Sequence, residues 1–120
     1  PVANPAICVV PSLSQDEETP AVYNLLDISC GGMALVDQPG TETIFRVGMT
    51  LENNQVKLSE SEVVETSIGI MNVTTAVMKN GNVCPRIGCE FVNLTEKSRT
   101  QIQRYIIRLE QQARKLESKS

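Results

Sequence analysis

The sequence predicts a mainly β domain, an antiparallel β-barrel of about six strands followed by one amphipathic α-helix. Two observations support this prediction. Short runs rich in Val, Ile and Thr, separated by turn-forming residues, occupy residues 1–94. Over residues 95–117 the apolar residues change to the period of a helix. The 120 residues have the length of one domain, in which the helix closes an end of the barrel or packs on its side.

Proline, glycine and asparagine separate the predicted strands. Pro11 ends the first run, and an acidic polar loop, Ser12–Thr19, leads to Pro20. The Asn80-Gly81 pair is a typical signal for a tight hairpin between the last two strands. The predicted strands are Ala6–Val10, Ala21–Ser29, Met33–Val36, Met49–Leu58, Val63–Met78 and Val83–Leu94, and Ile87, Cys89 and Phe91 share one face of the last.

The C-terminal segment has one apolar stripe at helical spacing. Thr95 or Asn93 can cap its start, because side-chain oxygens at this position accept hydrogen bonds from free backbone N–H groups. Residues 118–120 are expected to fray. The stripe consists of Ile102, Tyr105, Ile106, Leu109, Ala113 and Leu116.

The formal net charge of −3 hides an uneven distribution of charge. Residues 1–94 carry four basic and eleven acidic residues, whereas residues 95–120 carry seven basic and three acidic ones. This pattern is typical either of a cationic helix that faces a partner or of a solvated helix face. Glutamates interrupt the basic segment, and aromatic residues make up only 3% of the chain. Both features argue against nucleic-acid binding, which favours basic surfaces and exposed rings.

The side chains used most often in metal and acid–base chemistry are scarce. The sequence contains no histidine, and its four cysteines form no CxxC pair. We therefore predict no metal site, no cofactor and no enzyme activity. Free thiols are expected, with disulfides as the alternative. The sequence has no signal peptide and no apolar run of the ~20 residues that a membrane helix needs, which predicts a cytoplasmic protein without a membrane span.

One stretch, LLDISCGG at residues 25–32, combines a strand with polar residues and a glycine pair. Asp27 and Ser29 are two apart and share a face, so Leu26 and Ile28 are expected to point to the core. A carboxylate can accept the N1 and N2 hydrogens of guanine, and a hydroxyl with turn amides can donate to phosphate. A plain turn is the alternative, because Asp and Ser before Gly are common in turns.

Three segments resemble one known family. Asp27-x-Ser29-x-x-Gly32 resembles the [D/N]xSxxG signature of PilZ domains, and RIGCEF at residues 86–91 is similar to that family's late strand. QIQRYIIRLEQQARK, which begins at residue 101, resembles the C-terminal helix of the YcgR-like flagellar brake proteins. The segments follow the family order over nearly the whole chain. The resemblance implies a six-stranded barrel that binds cyclic di-GMP, a bacterial second messenger.

The resemblance also implies roles for single residues. Asp27 would contact a guanine edge, while Ser29 and Gly32 would help to hold phosphate or base. Gly88 would permit close approach of the ligand on a neighbouring strand, and Arg86 would add a cationic contact. The alternatives are that Gly88 serves strand packing and that Arg86 is a solvated side chain.

The sequence departs from the family at a second signature, RxxxR, which lies just before the first strand. The first arginine here is Arg46. Because arginines clamp phosphates and guanine edges strongly, we expect this 120-residue chain to bind cyclic di-GMP weakly or not at all. RxxxR, and another β-rich domain, would then precede Pro1 in a longer protein.

The expected function is that of a cyclic di-GMP receptor that regulates bacterial motility. The resemblance implies the flagellar motor or another effector as protein partner, with association at the flagellar basal body. The alternative is a PilZ-like protein-interaction module that does not bind nucleotide.

Overall fold

The computed structural model describes residues 6–11, 21–40 and 42–118, with side chains up to residue 115. The described residues form a closed barrel in which neighbouring strands are antiparallel, in the order β1-β2-β3-β6-β5-β4, with one C-terminal helix. The predicted fold class is confirmed. The predicted loop Ser12–Thr19 and the end of the predicted frayed tail lie outside the described residues. The elements are β1 Ile7–Val10, β2 Ala21–Ile28, β3 Gly32–Val36, β4 Thr50–Lys57, β5 Val63–Val77, β6 Val83–Val92 and α1 Glu96–Ser118.

Aliphatic side chains fill the barrel, as the scarcity of aromatic residues requires. Alternate residues of β5 point inward, so that Val64, Ile68 and Ile70 are buried. The predicted common face of Ile87, Cys89 and Phe91 on β6 is confirmed and points inward, since the first two are buried and Phe91 packs against the core. The full set of buried core residues is Cys8, Val10, Met33, Leu35, Phe45, Leu51, Val56, Leu58, Val64, Ile68, Ile70, Ile87, Cys89 and Ile102.

The hairpin between β5 and β6 has the predicted tight turn. Gly81 has a φ of 87°, a left-handed conformation that glycine adopts without steric cost. The Met78 N–H donates to the Asn82 carbonyl at 2.8 Å, and the Gly81 N–H donates to the Met78 carbonyl at 2.9 Å. The three-residue loop fixes the register of the long hairpin, which pairs Asn72 with Gly88.

Helix α1 lies across the end of the barrel at which β6 ends. Thr95 caps it, because its Oγ1 accepts a hydrogen bond from the Ser98 N–H at 3.1 Å. Ile102 is fully buried in the barrel core, so the first part of the predicted stripe seals this end. Arg108 pairs with Glu62, in the connection before β5, at 2.5 Å. Ala113, later in the stripe, is exposed. In the described part of the chain, no helix has the length and apolar character that crossing a membrane requires.

Three β-bulges interrupt the alternation of side chains, one of them in β4 between Leu51 and Asn54. In β2 the register shifts between Leu25 and Asp27, and in β5 it shifts between Ile70 and Asn72. The prediction that Leu26 points to the core is therefore wrong, and Leu26 is 42% exposed. A bulge adds one residue to a strand, so the alternation is broken at that point.

Candidate functional site

A groove of about 340 Å³ crosses the outer face of the barrel over β2, β3, β6 and β5. Its floor is a row of four paired residues, one on each strand, here called the central row: Asp27, Ala34, Gly88 and Asn72. Three inter-strand spacings of ~4.8 Å make the row roughly 14 Å long. Polar side chains stand at both ends, and the two middle positions are nearly bare. The central row therefore has hydrogen-bonding side chains at its two ends and small residues between them.

The predicted site residues all line this groove. Asp27 is exposed, and its Oδ1 accepts a hydrogen bond from the Ile28 N–H at 2.8 Å. Ser29 follows at the start of the turn, and Arg86 and Gly88 come from β6, more than fifty residues later. The fold thus brings the two sequence segments together on one outer face of the barrel.

The turn after β2 is held by its own hydrogen bonds. The Ser29 N–H donates to the Gly32 carbonyl at 2.8 Å, and Ser29 Oγ donates to the same oxygen at 3.3 Å. The Gly31 carbonyl accepts from the Phe91 N–H at 3.0 Å, which ties the turn to β6. Ser29 therefore stabilises the turn, and its hydroxyl oxygen still has lone pairs directed outward for another donor.

Two glycines of the groove are each explained by close packing. A Cβ added at Gly32 would lie 2.1 Å from the Cys89 carbonyl oxygen, so β3 and β6 approach each other only because Gly32 has no side chain. A Cβ at Gly88 would lie 2.5 Å from Asn72 Oδ1 and 2.8 Å from Asn72 Nδ2. The Asn72 amide thus rests directly over the bare backbone of Gly88. Both glycines keep the floor of the groove flat.

The charges around the groove are two acids and one base. Asp27 and Glu90 are exposed carboxylates, and Arg86 is half-buried with no ion-pair partner among the described residues. The Glu90 carboxylate leans over Gly69, where an added Cβ would lie 3.3 Å from Oε1. The groove is therefore slightly acidic, which is unfavourable for a phosphate.

Two buried thiols of the barrel, Cys8 and Cys89, are poor nucleophiles. All four cysteines are free, as expected, and Cys30 at the turn is exposed. Burial raises the pKa of Cys89, on the groove floor, to about 11. Burial, and to a smaller extent the charge on Cys89, raises the pKa of Cys8 to about 12. Neither group supplies a thiolate at neutral pH, and no cluster of metal-binding side chains occurs within the described ranges.

Sequence reasoning missed eight residues that line the groove, among them Met71, Asn72 and Glu90. Asn72 could have been predicted as a groove residue, because counting backwards from the Asn-Gly turn pairs it with Gly88. The pairing of β3 with β6 joins strands about fifty residues apart, and no local signal reveals it.

The fold and the groove define a six-stranded β-barrel domain with a polar groove on its outer face. The family model described as PilZ domain matches residues 6–108, and the chain belongs to this family. Two relatives are named flagellar brake protein YcgR. The relative from Nitrosomonas eutropha is 55% identical over 99% of this chain and 46% of its own length. The relative from Thiobacillus denitrificans is 35% identical over 95% of this chain and 44% of its own.

Two solved structures have the same fold. The PilZ domain of Escherichia coli YcgR with c-di-GMP matches with a TM-score of 0.76 and 21% identity, over all of this chain and 92% of the other. Escherichia coli YcgR in complex with c-di-GMP matches with a TM-score of 0.72 and 22% identity, over 96% of this chain and 45% of the other. The chain spans less than half the length of the curated relatives named above.

Proposed function

We propose that this domain is a cyclic di-GMP receptor that regulates flagellar motility in the bacterial cytoplasm, and that it binds rather than transforms its ligand. One observation carries the proposal. Asp27, Ser29 and Gly32 line the same groove as Arg86 and Gly88, although the two segments are far apart in the sequence. The names of the relatives, and the cyclic di-GMP bound to Escherichia coli YcgR, support the choice of ligand.

The chemistry of the groove suits a guanine nucleotide. The Asp27 carboxylate oxygens are hydrogen-bond acceptors, which match the N1 and N2 hydrogens of a guanine edge. The Asn72 amide covers Gly88, and Ala34 is buried, so a ring or sugar would rest on the Asn72 side chain rather than on the bare sheet. Arg86 would donate to phosphate oxygens, and the Ser29 hydroxyl would do so once it turned away from the Gly32 carbonyl.

The charge balance suggests that the groove needs further cations. Asp27 and Glu90 outnumber Arg86, and two phosphates would be repelled by this excess. Residues 1–45 contain no arginine or lysine that could compensate. We therefore expect arginines that precede the first strand to complete the site, and weak or undetectable binding when only these 120 residues are present.

Isothermal titration of two proteins with cyclic di-GMP tests the proposal. One is the 120-residue chain, and the other is the same chain joined to the residues that precede Pro1 in its gene, here called the extended chain. Tight binding is expected only for the extended chain. Absence of binding by both would refute the receptor function, and tight binding by the short chain would refute the need for upstream arginines.

Asp27→Ala in the extended chain tests the site itself. We expect affinity to fall by roughly tenfold to a hundredfold, the range for hydrogen bonds to a charged group. Asp37→Ala is the matched control, because Asp37 Oδ1 accepts a hydrogen bond from the next N–H at 2.8 Å in the same way but lines a different groove. Equal losses for both variants would argue against a specific role for Asp27.

A second candidate function is protein interaction through α1. Ile107 is 52% exposed between Arg104 and Arg108 on the outer face of the helix. An exposed apolar residue flanked by cations suits an acidic protein surface. Arg104→Glu and Ile107→Ser are expected to weaken association with motor proteins, whereas Lys79→Glu on the hairpin turn should leave it unchanged. Unchanged association for all three would exclude this face.

A further inference from the structure

The second half of β5 has one edge without a partner strand. On one side this half pairs with β6 along its whole length, whereas on the other side the pairing with β4 stops at Gly69. Ile70 then exchanges backbone hydrogen bonds with the loop before β4. Beyond it, residues 71–77 have no strand partner on that side in the described part of the chain. This stretch is here called the free edge of β5.

The backbone groups of Val73, Thr75 and Val77 point to the free edge. Along an antiparallel pair, successive residues alternate between bonding to the partner strand and pointing away from it. Met78 bonds towards β6, since its N–H donates across the hairpin turn at 2.8 Å, so every second residue before it points away. Pro85, opposite Thr75, agrees with this assignment, because it has no N–H and its carbonyl accepts a bond from its other side.

The free edge lacks the features that normally protect such an edge. Natural proteins block free edges with charged side chains or proline, since unpaired N–H and C=O groups attract another strand. Residues 71–78, MNVTTAVM, contain no charged residue and no proline. Val77 is 75% exposed, and Val83 opposite it is 53% exposed. The free edge is therefore uncharged, rich in β-branched residues and suited to the addition of a strand.

The free edge is complementary to a second copy of itself. When two copies meet antiparallel about a twofold axis at Thr75, each Thr75 lies opposite the other and Val73 lies opposite Val77. Every N–H of these three residues then faces a C=O, and the cross-strand pairs are Thr–Thr and Val–Val, which stabilise antiparallel sheets. No like charges meet along the edge, although the net charge of the chain is −3. A shift of the register by two residues would leave an end pair unmade.

We propose that the free edge of β5 is a self-association surface, at which two copies of this chain pair antiparallel about a twofold axis at Thr75. The pairing joins the two β5–β6 hairpins into one four-stranded sheet, and the grooves of both copies open on the same face of it. A twofold dimer is closed, because the pairing occupies the free edge of both copies. One strand from each copy buries less than the ~1,200–2,000 Å² of a standard interface, so the association is weak and reversible.

Sedimentation equilibrium of the 120-residue chain tests the proposal. We expect a reversible monomer–dimer equilibrium, with dimer present at about 1 mM. Thr75→Lys places two like charges opposite each other at the twofold axis and should weaken dimerisation at least about tenfold, as should Thr75→Glu. Thr100→Lys is the matched control, because Thr100 is exposed on α1 at the opposite end of the barrel. An unmodified chain that stays monomeric, or a Thr75→Lys chain that dimerises equally well, would overturn the proposal.

A mixture of the two Thr75 variants tests the register. In a mixed dimer the lysine of one copy faces the glutamate of the other, so association should return at least to the level of the unmodified chain. A change in folding does not explain such recovery, because each chain keeps its own substitution. Mixing Thr100→Lys with Thr100→Glu should give no comparable gain. Absence of recovery in the Thr75 mixture would exclude a twofold axis at this residue.

Hydrogen exchange of the unmodified chain gives a test that does not depend on any variant. The amides of Val73, Thr75 and Val77 are expected to exchange more slowly at about 1 mM than at about 10 µM, because the dimer supplies their hydrogen-bond acceptors. The neighbouring amides of Thr74 and Ala76, which point towards β6, should be much less affected. Equal exchange of the first three amides at both concentrations would refute pairing through the free edge.

Discussion

Replacement of Gly32 by alanine should destabilise the domain through the backbone of a neighbouring strand. The added Cβ would lie 2.1 Å from the Cys89 carbonyl oxygen and 3.2 Å from the Glu90 Cα. Carbon–oxygen contacts are normally 3.3 Å or longer, so β3 and β6 would have to separate by about 1 Å. Neither contact is the end of a flexible side chain, and the overlap cannot be relieved by a rotamer change.

The magnitude follows from the bonds at this junction. Gly32 pairs with Glu90, and the adjacent Phe91 N–H donates to the Gly31 carbonyl at 3.0 Å. Forced separation costs about 1–3 kcal/mol, and weakening one or two ladder hydrogen bonds adds about 1 kcal/mol each. We expect the free energy of unfolding to fall by roughly 2–5 kcal/mol.

Urea unfolding followed by circular dichroism measures this loss. Gly31→Ala is the control, because an added Cβ there meets nothing within 4 Å. That variant should be unchanged or stabilised by up to about 1 kcal/mol, since alanine restricts the unfolded chain. If Gly32→Ala and Gly31→Ala unfold at the same urea concentration, the close approach of β3 and β6 does not require glycine at position 32.

Three further predictions concern stability. Ile102→Ala should cost about 2–5 kcal/mol, because it opens a cavity in the core, as urea unfolding would measure. Arg108→Ala should cost less than about 1 kcal/mol and less still at high salt, because its pair with Glu62 is half-exposed. The raised pKa values of Cys8 and Cys89, about 12 and about 11 against an ordinary 9.0, mean that the folded state holds the thiol protons more tightly. Stability is therefore full below about pH 9 and should fall above it, by up to about 1.4 kcal/mol per pH unit for each thiol, so equal unfolding midpoints at about pH 8 and about pH 10 would contradict this.

Local sequence signals predicted most of the fold. The Asn-Gly turn defined the β5–β6 hairpin, and the spacing of Ile102 and Tyr105 defined the inner face of α1. These features depend on residues close together in the chain, so period and turn chemistry are sufficient to find them. The helix begins at Glu96, one residue after the predicted boundary, because Thr95 is its cap.

The bulges explain where the sequence prediction failed. Strict alternation placed Leu26 in the core, whereas the register of the β5–β6 hairpin was enough to pair Asn72 with Gly88. A bulge leaves no reliable mark in the sequence, because the extra residue can be apolar, as Leu26 and Met71 both are. Half of the candidate site was therefore predictable from the Asp27 motif, and the other half required the strand pairing.

Gly32 is a residue of the family motif at which the fold itself requires the absence of a side chain. Its missing side chain sets the distance between β3 and β6, and the same distance sets how Ala34 and Gly88 sit together at the centre of the groove. A larger residue at Gly32 would therefore disturb the groove without touching a ligand. Loss of binding in Gly32→Ala would not demonstrate a contact, whereas Asp27→Ala changes an exposed end of the central row and leaves the strand spacing intact. Asp27 is thus the informative test of recognition, and Gly32 is the test of the barrel geometry on which that recognition depends.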